Sequence, residues 1–545
     1  LPFIPLLDYL SVTRSIPRNT SGHFTMIKER ALLCLRQALG RNDADFREGQ
    51  WESIEAVLKR QRLLVVERTG WGKSMVYFLA TRLLRDEGAG PTLLVSPLLS
   101  LMRNQLEAAA RLGIRAETIN SANEDHWPAI TRKIREDALD VLVISPERLG
   151  NPGFRESVMP AIQNRVGLFV VDEAHCISDW GHDFRPDYRR IVRVLQDLPA
   201  ATPVLATTAT ANNRVVADIL SQFGKDIHLI RGPLIRESLK LQTIPLRSPS
   251  ARMAWLAKTI PTLPGSGIVY TLTQRDAECL AGWLALNGIP AKPYHSGLGD
   301  NDHGVPLRVE LEQKLLKNEI KALVATVALG MGFDKPDLGF VIHYQHPASV
   351  VHYYQQVGRA GRSLDSAYGI LMDGEEDDSI ADFFINNAFP PQNHVACVLQ
   401  ELKRINGGLS VRELESRVGL KRSQIDKTLR FLSVEAVSPV VKAGVKWIAT
   451  AAAGAYRMNT AYVQAITAIR RREQAQMRAY LSHAGCLMEF LARALDDPHA
   501  RACGKCARCR AAPLLDPGYS PILANKAQQF LDREQPSPEP AAQPG

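Results

Sequence analysis

The segment from Glu67 to Ser74 reads ERTGWGKS, follows the apolar run LLVV and leads into MVYFLATRLL. A strand, a glycine-bearing turn and a helix start form the setting in which backbone N–H groups can curl round phosphate oxygens. Gly70 and Gly72 would allow that curl beside Thr69. Lys73 would reach the terminal phosphates, and Ser74 could ligate Mg²⁺. The glycine that usually opens this pattern would fall on Glu67, so on these residues alone a chance match stays open. Further on, the apolar run GLFVV ends in Asp172-Glu173-Ala174-His175. An acidic pair at a strand end suits nucleotide hydrolysis, Asp172 holding Mg²⁺ through its water shell and Glu173 orienting and deprotonating the attacking water. The same pair is otherwise common as a helix cap.

Near the other end of the chain, Cys486, Cys503, Cys506 and Cys509 are spaced C-x16-C-x2-C-x2-C. Tetrahedral Zn²⁺ takes four thiolates, and tight CxxC turns present two at once. Two disulfides are the alternative. Arg501, Lys505 and Arg508 lie among these cysteines and would lower thiol pKa values and offer phosphate contacts. The site is read as structural and closed. Cys34, Cys176, Cys279 and Cys397 are scattered and read as unpaired thiols.

The elements that must position these groups follow from the wider pattern. The chain has 545 residues, 45% apolar and 23% charged, enough for several packed cores. No run approaches the roughly 18 to 20 apolar residues that a membrane-spanning helix requires, and the start, with Pro2, Pro5 and Pro17, is not read as a signal peptide. Met26 as a native start and an authentic N-terminal extension both fit. A net charge of +9 leans mildly toward polyanions. Short β-rich runs near 63–66, 93–95, 141–144, 168–171 and 204–206 alternate with helical periodicity, the rhythm of a parallel sheet wrapped by helices. A second set follows, with strands near 267–270, 322–326 and 340–343, and Gly232-Pro233 marks the join. The acidic run Asp373, Glu375, Glu376, Asp377, Asp378 reads as a solvated loop or helix start. Residues 409–438 and the PVVKAGVKWIAT that follows are read as a winged helix, with a plain helical hairpin as the alternative that fits the same periodicity. The stretch 456–495 is helical and basic, and the Pro- and Gln-rich tail from Pro513 reads as mobile.

From about residue 44 to 362 the chain resembles the RecQ helicases of superfamily 2. Phe46-Arg47-Glu48-Gly49-Gln50 is similar to the family's adenine motif, in which Gln50 would read the base edge and Arg47 assist, although Asp43 stands where the stacking aromatic is usual. The most specific match is AHCISDWGHDFRP, similar to the family's aromatic-rich loop; Trp180, Phe184 and Arg185 would sense single-stranded DNA and relay its occupancy through His175. SPLLSL (96–101), SPERL (145–149) and Thr207-Thr208-Ala209-Thr210 match strand-end motifs that grip DNA or couple it to hydrolysis. In the second half, Tyr294-His295-Ser296-Gly297 and QQVGRAGR (355–362) match as well. Gln355, Arg359 and Arg362 join the catalytic set, the two arginines as fingers for a developing γ-phosphate charge, worth about 10³ to 10⁵ in comparable systems.

The resemblance implies two tandem RecA-like parallel-sheet lobes followed by a winged-helix-like unit and a helical zinc-binding module. The expected divisions are an N-terminal extension (1–44), lobe 1 (45–232), lobe 2 (233–388), winged helix (389–452), zinc module (453–512) and flexible tail (513–545). It also implies a cytoplasmic, nucleoid-associated protein using ATP, Mg²⁺ and Zn²⁺, bound to single-stranded DNA and overhang duplexes rather than membrane. Its activity would be 3′-to-5′ unwinding in repair or recombination. Here the winged helix precedes the zinc module, the reverse of the usual order. A DNA-binding regulator with a degenerate ATPase and an RNA-directed motor are the competing readings.

Overall fold

The computed structural model describes residues 20–534, apart from 98, 121–122, 179–188, 225, 302–303, 331–332 and 436. Its first lobe is a seven-stranded parallel sheet in the order Ala116–Ile119, Val141–Ile144, Thr92–Val95, Leu168–Val171, Val204–Thr208, Arg62–Val66, Ile227–Arg231. Central strands such as LLVV and VLVI are buried on both faces, which is why they read as unbroken apolar runs rather than as alternation. Leu64 and Val66 point into one helical layer. Leu63 and Val65 point into the other, together with Ala31 and Leu35 of helix Thr20–Leu39. That helix corrects the expected N-terminal extension: its apolar face is part of lobe 1. Because all seven strands run the same way, their C-terminal ends share one edge, where the P-loop and Asp172 both emerge.

At the opposite edge, Asp140 is held by Arg115 through Nε (3.0 Å), Nη2 (2.7 Å) and the backbone N–H (2.9 Å), and by Arg85 Nε at 2.9 Å. Burial would raise its pKa, but these donors outweigh it and bring the carboxyl down to about 2. A depressed carboxyl stabilises the fold above its unfolded pKa near 3.8 and loses that contribution as pH falls toward 2. Asp140→Asn is therefore expected to cost about 1–2 kcal/mol at neutral pH, discounted because Arg115 is half in water. Urea titrations should show the difference between variant and native chain shrinking below pH 4; a constant difference would contradict this.

The second lobe is a six-stranded parallel sheet, ordered Ala291–Tyr294, Ala322–Ala325, Ser266–Tyr270, Leu338–His343, Ala367–Met372, Leu239–Ile244. The acidic run after it is not merely solvated. Asp377 is fully buried, accepts the backbone N–H groups of His346 (3.1 Å) and Gly374 (3.2 Å), and with Glu376 flanks the buried guanidinium of Arg252. Asp378 pairs with Arg478 at 2.7 Å, and Asp382 with Arg471. These pairs lay helix Asp377–Asn386 along helix Thr460–Leu481, a packing that crosses the expected boundaries at 388 and 452.

Between those two helices the chain makes an excursion. Helices Gln392–Arg404, Val411–Val418 and Arg422–Ser433 pack with an antiparallel sheet, Leu409–Ser410, Lys446–Ala449, Val440–Ala443, around Leu402, Leu414, Ile425, Leu429 and Val440. Ser410 and Glu413 close a capping box at the second helix, and Gly444, at φ 60°, turns the hairpin. Three helices with a hairpin make a winged helix rather than a bare helical pair. The excursion starts and finishes at one place: the rings of Phe389 and Tyr462 are 6.4 Å apart.

The tail also departs from expectation. Helix Pro521–Glu534 packs on lobe 2, with Ala527 fully buried and Phe530 5.7 Å from Trp283. Trp255 Nε1 donates to Asp516 O at 2.8 Å just before it. Leu523, Ala527, Phe530 and Leu531 have helical i, i+4, i+7, i+8 spacing, which the Pro- and Gln-rich composition obscured.

Candidate active site and metal centre

Gly70 (φ 77°) and Gly72 (φ 100°) take left-handed backbone conformations in the loop that opens helix Lys73–Asp86. A Cβ on Gly72 would lie 2.7 Å from Gln50 Nε2. Gln50 accepts from Arg47 N at 2.9 Å and donates to Trp71 O at 2.8 Å, while the Arg47 guanidinium bonds Gly70 O. The adenine-motif residues are thus built against the phosphate loop. Lys73 Nζ donates to the carbonyls of Glu67 (2.8 Å) and Arg68 (3.3 Å); burial lowers its pKa, with Glu173 and Asp172 opposing. Ser74 occupies the first turn of the same helix.

Glu67, at the position where a glycine was expected, is buried, and burial pushes its carboxyl up to about 7 against the pull of Lys73 and Arg68. Its Oε1 lies 1.9 Å from where a Cβ on Gly232 would sit. The break at 232 is therefore a close approach as well as a join between lobes.

Strand Val204–Thr208 lies between the strands that carry the loop and the acidic pair. From it, Thr207 Oγ1 donates to Asp172 Oδ1 (2.7 Å) and Thr208 Oγ1 meets His175 Nδ1 (3.0 Å). Gln105 Nε2 donates to the other Asp172 oxygen at 3.0 Å and lies 3.1 Å from the Tyr77 hydroxyl. Burial and the neighbouring Glu173 raise the Asp172 pKa. Burial would raise Glu173 too, but His175, 3.3 Å away, holds it down and keeps the carboxylate ionised. His175 is fully buried, and although burial disfavours its charge, Cys176 and Glu173 raise its pKa. It lies directly against Glu173. Trp180, Phe184 and Arg185 lie outside the described residues.

The other half of the site comes from lobe 2. Arg362 Cγ lies 3.4 Å from a Cβ placed on Gly70, and its Nη1 pairs with Asp334 at 2.8 Å. Arg359 is buried and donates to Phe333 O at 3.1 Å. Arg359 Nε, Arg362 Nε and Gln355 Nε2 are buried donors with no acceptor among the described residues. Buried donors of this kind, with Lys73 and Arg47, suit a polyphosphate. Asp172 and Ser74 would hold its Mg²⁺. Gln105 escaped the sequence reading although a signal existed: it interrupts the apolar stripe Met102, Leu106, Ala109 of helix Leu99–Arg111.

The four cysteines come together as expected. Their sulfurs lie within 4.8 Å of one another, with Cys486 and Cys506 4.0 Å apart, and all four are free thiols. A Zn–S bond of about 2.3 Å sets sulfurs roughly 3.8 Å apart in a tetrahedron. Backbone N–H groups of Cys503, Glu489, Cys506 and Cys509 aim at the sulfurs at 3.2–3.4 Å, the pattern that stabilises thiolates. The donor set fits Zn²⁺, and Cys486 and Cys506 sit inside the lobe 2 core cluster. Ala507 N bonds Leu241 O (2.9 Å), so the module covers the edge strand of the second sheet. Asp496 and Asp497 reach Asn213 N and Leu234 N, both at 2.8 Å, tying the module to lobe 1 and the linker.

Comparison with known proteins agrees with this geometry. The DEAD/DEAH box helicase family matches residues 47–219, and the helicase conserved C-terminal domain matches residues 252–363. The chain is 32% identical over 369 residues to the probable ATP-dependent DNA helicase RecS of Bacillus subtilis, covering 66% of this chain and 70% of that one. It is 33% identical over 368 residues to the ATP-dependent DNA helicase RecQ of Bacillus subtilis (strain 168), covering 66% and 58%. It spans about a third to a half of the length of several other relatives of this kind. The structure of Mycobacterium smegmatis helicase Lhr bound to ssDNA and AMP-PNP shares the fold, with a TM-score of 0.51 at 19% identity over 77% of this chain and 60% of that one. With its two parallel-sheet lobes, the paired motifs between them and relatives at this level of identity, the chain belongs to the RecQ family of superfamily 2 helicases.

Proposed function

We propose that this protein is an ATP-driven DNA helicase that moves 3′ to 5′ along one strand and opens duplexes from a single-stranded overhang, in DNA repair or recombination and in association with the nucleoid. The observation that carries the reading is the approach of Arg362 from lobe 2 to Gly70 of the phosphate loop, with Arg359 near enough to Glu173 to help lower its pKa. Hydrolysis there would depend on lobe closure, and a motor needs that dependence. In this scheme Gln50 and Arg47 bind the base, Lys73 grips the terminal phosphates, Glu173 takes the proton from water, and the two arginines meet the charge on the leaving and transferring oxygens. Mg²⁺ held by Ser74 and Asp172 would neutralise phosphate charge. Trp180, Phe184 and Arg185 would contact the strand and report through His175 to Glu173. The zinc-holding cysteines serve the fold.

The test is ATP hydrolysis with and without single-stranded DNA, for the native chain and Lys73→Ala, with single-stranded RNA as competitor. Hydrolysis should rise many-fold with DNA, fall at least ~100-fold in the variant and resist RNA. DNA binding without DNA-dependent turnover would instead favour a regulator that merely switches, and equal stimulation by RNA an RNA-directed motor.

A further inference from the structure

The linker between the lobes contributes one side chain that none of the motifs above includes. Arg236 is 5% exposed and makes five hydrogen bonds, all to neutral oxygens. Nη1 donates to Thr69 O (2.8 Å), Thr69 Oγ1 (2.9 Å) and Gly358 O (2.8 Å). Nη2 donates to Ala360 O (3.0 Å) and Gly361 O (3.3 Å). One planar fork therefore spans the phosphate loop of lobe 1 and the backbone on both sides of Arg359 in lobe 2. Thr69 Oγ1 also reaches Gly358 O at 2.9 Å, and Ser238 Oγ donates to Gly361 O at 2.7 Å, so the same few carbonyls are fixed from three directions.

The electrostatics argue against a stabilising ion pair as the reason for this residue. Burial, with Arg362, Arg68 and Arg47 nearby, lowers its pKa to about 10, and Tyr354 is the neighbour opposing this. A buried cation held among other cations, bonded only to carbonyl and hydroxyl dipoles, is a costly way to hold two domains together. It is well suited to fixing backbone geometry, because the guanidinium presents its donors in a rigid plane. The backbone fixed is that of the nucleotide loop and the finger segment.

We propose that Arg236 is a positioning residue that sets Arg359 and Arg362 by the conformation of the phosphate loop, so that the fingers engage when the loop closes on a transferring phosphoryl group. This inference rests on the helicase reading above. The hydrogen bonds of Arg236 go to Thr69, Gly358, Ala360 and Gly361, and it acts through them. Lysine at this position keeps the charge but cannot bridge both segments with one planar group.

The experiment compares ADP with ADP–aluminium fluoride, a mimic of the transferring phosphoryl group, in the native chain, Arg236→Lys, Arg359→Ala and the double variant. Arg236→Lys should bind ADP within about threefold of native but lose at least ~10-fold for the mimic. In the double variant the loss should be little more than for Arg359→Ala alone, because both changes remove one interaction. Equal losses for ADP and mimic, or additive losses, would overturn the inference, as would a native chain that binds the mimic no tighter than ADP. Ser238→Ala, which removes only the hydroxyl on Gly361 O, should weaken the mimic selectively by a smaller factor; no selectivity there counts against the proposal even if Arg236→Lys does not fold. Absence of turnover in the native chain sinks the helicase reading separately, since the ratio of mimic to ADP affinity needs no turnover.

Discussion

Glutamine in place of Glu173 is expected to lower the turnover number by ~10² to 10⁴ while leaving nucleotide and DNA affinity close to native, because the change removes a proton acceptor and preserves shape. The structure gives specific reasons. Glu173 sits in a left-handed backbone conformation at φ 52°, two residues past the end of the strand. Asp172 is already occupied by Thr207 and Gln105, whereas Glu173 lies against His175 and within the fields of Lys73 and Arg359. The two carboxylates thus have different partners, which fits the proposed division between holding metal and taking the proton. Single-turnover hydrolysis beside titration with a non-hydrolysable nucleotide separates the two effects. A variant that hydrolyses ATP at near-native rate would remove Glu173 from the chemistry.

Loss of the metal centre should be felt far from the four sulfurs. Cys506→Ser is expected to abolish stoichiometric zinc and to lower the thermal midpoint by about 10 °C, given several kcal/mol out of the ~10–16 that such sites contribute and roughly 2–4 °C per kcal/mol in lobes of this size. The reason lies in packing. Cys486 and Cys506 share a core with Tyr480, Met477 and the lobe 2 residues Tyr353 and Tyr354, and the rings of Tyr353 and Tyr480 are 5.2 Å apart. Opening the cluster would unpack the wall of lobe 2 rather than a peripheral knob. Metal analysis with differential scanning calorimetry tests this; a chain that holds no zinc yet melts at the native temperature would show the four thiols to be dispensable.

The chemistry was easier to read from sequence than the scaffold. Lys73, Asp172 and Glu173 stood out by residue type and by their places at strand ends, and the structure brings them together. The cysteines stood out because a tetrahedral ion demands tight turns. Strands buried on both faces were equally plain. What stayed hidden was nonlocal or edge-bound. Ala291–Tyr294 reads AKPY, and Ile227–Arg231 is half exposed, so neither shows the apolar run of a central strand. The pairing of Asp377–Asn386 with Thr460–Leu481 joins residues separated by a whole small domain, and no local pattern predicts it. The acidic run does open a helix, as one of its two readings had it, but composition does not tell a solvated carboxylate from one buried against Arg252. Arg236 stood in a linker without motif or periodicity. Its link between the two lobes is visible only in the carbonyls around it.

The winged helix leaves and rejoins the motor at neighbouring points beside Phe389 and Tyr462. A body hung on one linker swivels; one hung on two adjacent strands of chain, each continuing into a helix pinned to the other by Arg471 and Arg478, moves with its mount. The winged helix therefore keeps its place against helices Asp377–Asn386 and Thr460–Leu481, and the unit can be cut out and its ends rejoined by a short loop without severing any element of either lobe.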